Sequence, residues 1–313
     1  MPGHPLIIDC DTGRDDALSI WVALALGLDV AAVLASYGNT TLNHVCDNCL
    51  RVLSAAGRAD IPVWRGENMP RQHHPAIDTI LLPKQAMSGN GLCNLELPHS
   101  KAAAQPMSAP ARAQALRSLA AQSGPIDYII LGPATNFATT YQALGAEASQ
   151  IIKRVTMWGG KPDPLWHQMP GPDFNFGCDP HAVDVLLEAA QNGVSVRFIP
   201  MNVTWPMQMT LPQLQALKAQ GPVAAIARDL MIAHAQHFAP DQLFRFHDPC
   251  VIMSLLHEDY FKGARVRIIT DETSADFGRL IAADDGAPVA LFEADDDVRA
   301  DMMAGILKLL DLS

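Results

Sequence analysis

Residues 6–16 read Leu-Ile-Ile-Asp-Cys-Asp-Thr-Gly-Arg-Asp-Asp, and this stretch decides the fold class. A short apolar run leads to a turn at Gly13 and then into a segment with helical periodicity. That order predicts a buried strand, a tight turn and the start of a helix. Open α/β sheets bind ligands at the carboxyl ends of their strands. Four acids gather at that point: Asp9, Asp11, Asp15 and Asp16.

These acids predict a divalent cation site. Carboxylates packed this closely repel one another unless a cation neutralises them or some of them are protonated. A hard divalent ion with oxygen ligands resolves the repulsion. The structural alternative is helix capping by Asp15 or Asp16, but capping uses only one or two acids.

Composition excludes several classes of protein. The 313 residues are 49 % hydrophobic, enough for one large α/β domain or two small ones. The net charge is −11, and no basic patch typical of nucleic-acid binders is visible. The longest apolar runs are shorter than a membrane span, and the first strand starts too early for a signal peptide. We therefore expect a soluble, cytoplasmic protein without nucleic-acid or membrane partners.

The six cysteines show no disulfide framework. Cys46 and Cys49 form a C-x-x-C pattern inside a helix predicted over residues 40–57. A redox motif of this kind opens a helix after a strand, so this position argues against redox or zinc chemistry.

Strand and helix patterns alternate along the chain. We predict strands over 30–36, 61–64, 127–131, 151–158 and 195–199, and helices over 41–57, 111–122, 136–144 and 180–192. Residues 66–110 resemble long loops, which in compact domains are usually functional. A second irregular stretch follows Gly159-Gly160 and runs to Gly177. We expect helices over 211–262, a small strand cluster over 264–292 and a closing helix over 295–310. The alternation predicts one domain, residues 1–313, built as an open, mostly parallel, doubly wound Rossmann-like sheet with helices on both faces.

Polar residues follow the strands and should meet in one crevice. They are Asp11, Asp16, Asn39, Asn175 and Asp248. Amides and carboxylates hydrogen-bond sugar hydroxyls, and Trp205, which also follows a strand, offers a flat stacking face. Each residue has a structural alternative: Asn39 in a turn, Asn136 as a helix cap, His247-Asp248 as a surface cap.

The chain resembles the inosine–uridine nucleoside hydrolase family over nearly its whole length. The family's D-x-D-x-G-x-D-D opening is met by residues 9–16, with Thr12 where a proline is usual. Its other motifs also occur in order: G-N at 38–39, G-P-x-T-N at 132–136, D-F-N for E-F-N at 173–175, and H-D-P at 247–249.

The resemblance implies a nucleoside hydrolase fold and a bound calcium ion. The implied ligands are Asp11, Asp16, the backbone carbonyl of Leu131, and Asp248, with two ribose hydroxyls and a water completing the shell. The implied sugar contacts are Asp15, Asn39, Asn175 and Asp173, with Met157 beneath the ribose. We expect Trp205 and His167, with Trp166 as an alternative, to face the base.

The resemblance also implies hydrolysis of the N-glycosidic bond of purine or pyrimidine ribonucleosides. The metal lowers the pKa of a water, Asp11 takes its proton, and the water attacks the anomeric carbon with inversion. His247 is the candidate acid for the leaving base. The partner is a small-molecule nucleoside, and the implied assembly is a homodimer or homotetramer.

Three departures from the family pattern affect the 5′ end or the base. Asp173 replaces the usual glutamate, Ser88 stands where many members have histidine, and Trp166-His167 replace a usual asparagine. Two alternatives to nucleoside hydrolysis remain open. The altered pocket allows a non-catalytic nucleoside-binding member of the same fold. Asp9-Cys10-Asp11-Thr12 partly fits the motif of a haloacid-dehalogenase-like phosphatase.

Overall fold

The computed structural model describes residues 3–161, 171–237 and 239–313. Within these ranges ten strands form one sheet. They are β1 Leu6–Cys10, β2 Val30–Ala35, β3 Val63–Arg65, β4 Gln105–Pro106, β5 Ile126–Ile130, β6 Ile152–Trp158, β7 Ser195–Ile199, β10 Phe261–Ile268, β11 Leu280–Ala282 and β12 Ala287–Phe292. A separate antiparallel pair joins β8 Gln208–Thr210 to β9 Leu243–Arg245.

The sheet runs in the order β11-β10-β12-β7-β6-β5-β1-β2-β3-β4. From β4 to β12 all neighbouring strands are parallel, and only β10 pairs antiparallel, with β11 and β12. This confirms the predicted open, mostly parallel sheet. The strand cluster predicted over 264–292 extends that sheet at one edge.

Helices follow most of the strands. They are α1 Arg14–Ala25, α2 Leu42–Ala55, α3 Pro75–Ser88, α4 Ala109–Ser123, α5 Thr135–Leu144, α6 Ala148–Ile151, α7 Phe174–Cys178, α8 Pro180–Gln191, α9 Met201–Thr204, α10 Leu211–Ala216, α11 Pro222–His237, α12 His247–Ser254 and α13 Asp296–Leu309. Thr41 caps α2 and Asp179 caps α8 through side-chain hydrogen bonds, as their positions before the helices predict.

Alternating residues of the central strands pack into two separate hydrophobic cores. On β1, Ile8 and Cys10 pack into a core with α1, α2, α11 and α12, whereas Ile7 packs into a core with α4, α5 and α8. Successive strand residues point to opposite faces, so two cores place helices on both faces of the sheet. The central strand is buried throughout, as parallel strands between helix layers are.

Two predictions about elements were wrong. Residues 66–110 are not loops throughout, because they contain α3 and the short strand β4. Residues 211–262 are not continuously helical, because β9 interrupts them and β10 begins at Phe261. The helix α3 carries a proline at position 83, which disfavours a helix interior and hides the pattern.

Cys46 and Cys49 lie on α2 as free, buried thiols. The helices of the described residues are all too short or too polar to cross a bilayer. Trp166 and His167, proposed to face the base, lie outside the described residues.

Candidate active site

A cavity of about 250 Å³ opens at the carboxyl ends of the parallel strands. Its lining includes seven residues singled out from the sequence: Asp15, Asn39, Leu131, Asn175, Trp205, His247 and Asp248. These residues lie on α1, in the turns after β2 and β5, on α7, directly after α9 and on α12, and they span more than 230 positions of the chain. The sheet edge therefore brings the predicted polar residues together.

Three carboxylates meet at one side of this cavity: Asp15 and Asp248 line it, and Asp16 is fully buried next to them. Asp15, Asp16 and Asp248 each place an oxygen within 4.8 Å of the others. Oδ2 of Asp16 accepts hydrogen bonds from the backbone N–H of Gly13 at 2.9 Å and from Asn39 Nδ2 at 3.3 Å. Oδ1 of Asp16 is buried and has no hydrogen-bond partner among the described residues. A buried acceptor without a donor is costly, so this oxygen is suited to a cation.

Asp11 lies beside this trio and is 1 % exposed. Its Oδ2 accepts the backbone N–H of Asn39 at 2.6 Å, and its Oδ1 accepts Asn39 Nδ2 at 3.0 Å. The turn that carries Asn39 approaches so closely that a Cβ on Gly38 would lie 2.0 Å from Asp11 Oδ2. The glycine thus permits the contact that orients Asp11.

Burial and mutual repulsion raise the pKa of most acids in the cluster. Burial, and then the charge of Asp16, raise the pKa of Asp11 well above its usual value. Burial, and then Asp15, raise the pKa of Asp16 to about 6 and that of Asp248 well above its usual range. Burial opposes ionisation of Asp15 too, but Arg14, His247 and Lys84 outweigh it and lower its pKa. A cation would relieve these costs.

The carbonyl of Leu131 faces the same cavity and accepts Asn175 Nδ2 at 2.5 Å. Asn175 is held there by α7, whose first turn is capped by Asp173. Both oxygens of Asp173 accept backbone N–H groups, from Gly160 at 2.8 Å and Phe176 at 3.1 Å, and burial raises its pKa to about 6. Among the described residues, Asp173 does not line the cavity; it positions Asn175 instead.

Two other residues singled out from the sequence lie away from the cavity wall. Met157 is fully buried in the second core, next to Trp158, which does line the cavity. Asp9 accepts the hydroxyl of Tyr128 at 2.9 Å and Asn136 Nδ2 at 2.8 Å, and burial raises its pKa to about 7. These two hydrogen bonds occupy both oxygens of Asp9 in the protein interior, so Asp9 is not part of the acid cluster.

His247 is held by a defined hydrogen-bond chain. Trp158 Nε1 donates to Thr204 Oγ1 at 3.1 Å, and Thr204 Oγ1 lies 2.8 Å from His247 Nδ1. The threonine hydroxyl accepts from the indole and holds Nδ1 of His247, so the imidazole ring is fixed in orientation with Nε2 as its other nitrogen. Burial lowers the pKa of His247 to about 4, which keeps the ring neutral.

Trp205 lines the cavity, but one of its faces is covered. The guanidinium of Arg245 lies 4.1 Å from the indole ring, and the His247 ring lies 6.3 Å away. A base could therefore stack only on the other face of Trp205, or meet its edge.

Several cavity residues escaped the sequence analysis. They are Arg14, Lys84, Trp158, Phe174, Met201, His234 and Arg245. Arg14 and Trp158 could have been found, because one lies inside the acidic motif and the other ends a strand at the same edge. Lys84 and His234 lie on helices and carry no local signal.

The family model for inosine-uridine preferring nucleoside hydrolases matches residues 6–304. The chain belongs to this family. Family membership makes it a hydrolase. Its relatives include the pyrimidine-specific ribonucleoside hydrolase RihA of Salmonella paratyphi A, 31 % identical over 264 residues, covering 82 % of this chain and 81 % of that protein. RihA of Escherichia coli O81 is 30 % identical over 268 residues with the same coverage of both chains.

Solved structures of nucleoside hydrolases share the fold. An inosine-guanosine nucleoside hydrolase superposes with a TM-score of 0.78 at 18 % identity, covering 98 % of this chain and 99 % of that one. A purine-preferring ribonucleoside hydrolase from Gardnerella vaginalis gives 0.76 at 20 % identity with the same coverage. These likenesses confirm the nucleoside hydrolase fold.

Proposed function

We propose that this hydrolase cleaves the N-glycosidic bond of ribonucleosides, releasing free base and ribose, with a calcium ion held by the acid cluster. One observation carries the proposal: three carboxylate oxygens converge within 4.8 Å in a small cavity, beside an Asp16 oxygen that has no donor among the described residues. The cluster needs a cation, and the amides around it suit sugar hydroxyls.

The chemistry of the donors favours calcium. Asp11, Asp16, Asp248 and the Leu131 carbonyl offer only oxygen, and hard cations such as calcium prefer oxygen. Asp15 belongs to the tight trio and so lies near the same ion. When bound, the ion would neutralise the acids and lower the pKa of a nearby water.

The side chains have separable tasks. Asp11 takes the proton of the attacking water, and the two hydrogen bonds from Asn39 orient it for that task. The water oxygen bonds to the anomeric carbon as the carbon–nitrogen bond breaks, and the bonding electron pair stays with the base. Asp15, Asn39 and Asn175 hold the ribose, and their negative or dipolar oxygens stabilise the developing positive charge on the sugar.

His247 would protonate the departing base. For that step the ring must first take up a proton from water; the imidazolium then gives the proton on Nε2 to the base and returns to the neutral form, and the pKa of about 4 makes that proton strongly acidic. Trp205 borders the same part of the cavity. Pyrimidine ribonucleosides are the first substrates to test, because the relatives at 30–31 % identity are named pyrimidine-specific.

The deciding experiment measures release of free base from uridine, cytidine, inosine and guanosine. The enzyme is assayed as purified, after chelation, and after calcium is added back. We expect release that chelation removes and calcium restores. Binding of nucleosides by calorimetry without any release would overturn the catalytic proposal in favour of a binding protein. Phosphate release from phosphomonoesters alone would overturn it in favour of a phosphatase.

A further inference from the structure

The cavity wall combines the acid cluster with an unusual set of nitrogen groups. Arg14, Lys84, Arg245 and His234 all line it. Acids of the cluster attract Arg14 and Lys84, and a neutral nucleoside would add no further negative charge to this wall. Their arrangement therefore bears on which nucleosides the site accepts.

Two of the cations interact with the acids only over a distance. Within residues 3–161, 171–237 and 239–313, the side chains of Arg14 and Lys84 form no hydrogen bond and no ion pair, whereas Arg245 pairs with Asp241 at 2.6 Å. The ammonium of Lys84 lies over the Phe174 ring, 5.3 Å from its centre. Burial, and then repulsion from Arg14, lower the pKa of Lys84 although Asp15 attracts it. An anion bound near Arg14 and Lys84 would offset both the burial and the mutual repulsion of their charges.

Two further nitrogens of the same wall are also unsatisfied. Nε of Arg245 and Nδ1 of His234 are buried without a hydrogen-bond partner in the described structure. Buried polar atoms are nearly always hydrogen-bonded, and unsatisfied ones call for an explanation. A ligand with acceptor atoms would provide the missing partners.

Two of these groups, Arg245 and Lys84, lie against aromatic rings of the cavity wall. Arg245 covers one face of Trp205 at 4.1 Å, and His247 stands 6.3 Å from the same ring. If the ribose occupies the amides and acids, this aromatic side receives the base. The volume of about 250 Å³ is below the roughly 300–1,000 Å³ of ordinary ligand pockets, which leaves little room for a phosphate extension.

We propose that Arg14, Lys84 and Arg245 select ribonucleosides whose base carries negative charge at neutral pH. The inference rests on the proposed hydrolysis and adds the substrate class of the same site. Charge-assisted hydrogen bonds are roughly twice as strong as neutral ones, so the preference should be measurable. The same cations would favour the electron pair that the base retains as it leaves.

The test compares matched substrate pairs with the calcium-loaded enzyme. Xanthosine is anionic at neutral pH and inosine is neutral, while orotidine carries a carboxylate that uridine lacks. In at least one pair we expect kcat/KM of the anionic member to exceed that of the neutral member by about tenfold or more, since one ionic contact reaches that size. Equal or lower values for both anionic members would overturn the inference, while the hydrolysis of inosine or uridine would still support the proposed function.

Variants of Lys84 distinguish recognition of an anionic base from general neutralisation of the acid cluster. Lys84→Met should remove the preference, Lys84→Arg should retain it, and Lys101→Met, on an exposed segment, should leave the ratio unchanged. If Lys84 merely neutralises the acids, Lys84→Met changes both members of a pair equally, and the inference fails. Uridine 5′-monophosphate forms a further arm: if it is preferred over uridine and Lys84→Met removes that preference, the cations recognise a phosphate and the assignment to the base is overturned.

Discussion

At the scale of single residues, the site depends on how one side chain orients another. Asp11 is bound on both oxygens by Asn39, and His247 is fixed by Thr204. The proposed base and the proposed acid are thus each oriented by a neutral neighbour. This arrangement makes the roles testable without removing the charged groups themselves.

Asp11→Ala should abolish hydrolysis while the protein stays folded. The change removes the group proposed to take the proton of water and to hold the ion, a loss on the order of several kcal/mol in the transition state. Steady-state kcat/KM and the melting temperature measure the two effects. Asp29→Ala, which removes an exposed acid, is the control. Activity above about a tenth of the wild-type rate would contradict the role, because one decade is only about 1.4 kcal/mol.

Thr204→Val should slow hydrolysis of natural nucleosides but spare nitrophenyl riboside. Without the hydroxyl, Nδ1 of His247 loses its hydrogen-bond partner and the imidazole ring is no longer held in place. Loss of a general acid typically costs about 10²- to 10⁴-fold, and a nitrophenolate leaves without a proton. Thr204→Ser keeps the hydroxyl and should retain the rate. Equal slowing of both substrates by Thr204→Val would show that His247 is not the acid.

At the scale of elements, turns after the strands set the geometry. Gly38→Ala should lower kcat/KM at least about a hundredfold, since the new Cβ would lie 2.0 Å from Asp11 Oδ2 and displace it. Gly263→Ala, in β10 with open space around it, is the matched control and should change little. Kinetics on both purified variants decide the point, and normal turnover by Gly38→Ala would show that the loop can shift at no cost.

His234, on α11, makes stability depend on pH. Burial lowers its pKa from 6.5 to about 3, so the folded protein binds fewer protons than the unfolded chain between these values. Its contribution is full above pH 6.5 and is lost as pH falls towards 3. His234→Phe keeps the packing on Phe244 and should lose less stability between pH 7 and pH 5. Urea unfolding at both pH values tests this, with His99→Phe on the surface as the control; identical losses in wild type and His234→Phe would contradict it.

The sequence predicts elements well where local signals agree with the fold. Periodicity and capping residues located α2 and α8 to within two residues. Residues 75–88 were missed because Pro83 contradicts a helix locally, and tertiary packing of α3 over the site outweighs it. The acids of the site were found from one short motif. Lys84 and His234 reach the cavity only through the packing of distant helices, which no local pattern records.

At the scale of the whole molecule, the bound ion should act as a folding ligand. Asp11 and Asp16 lie near the start of the chain and Asp248 lies in its last quarter, and without a cation their repulsion opposes the packing of α1 against α12. A ligand at 100 times its dissociation constant stabilises a protein by about 2.7 kcal/mol. Chelation should therefore lower the melting temperature, and calcium should restore it. A melting temperature independent of chelator and calcium would contradict a site shared by these two parts of the chain.

The two edge strands of the main sheet are short. On one side lies β4, two residues ending in Pro106, and on the other lies β11, three residues long. Proline offers no amide hydrogen, and so short an edge strand gives an incoming strand few backbone groups to pair with. Lateral recruitment of a second sheet, the route to fibrils, is thereby discouraged at the β4 edge.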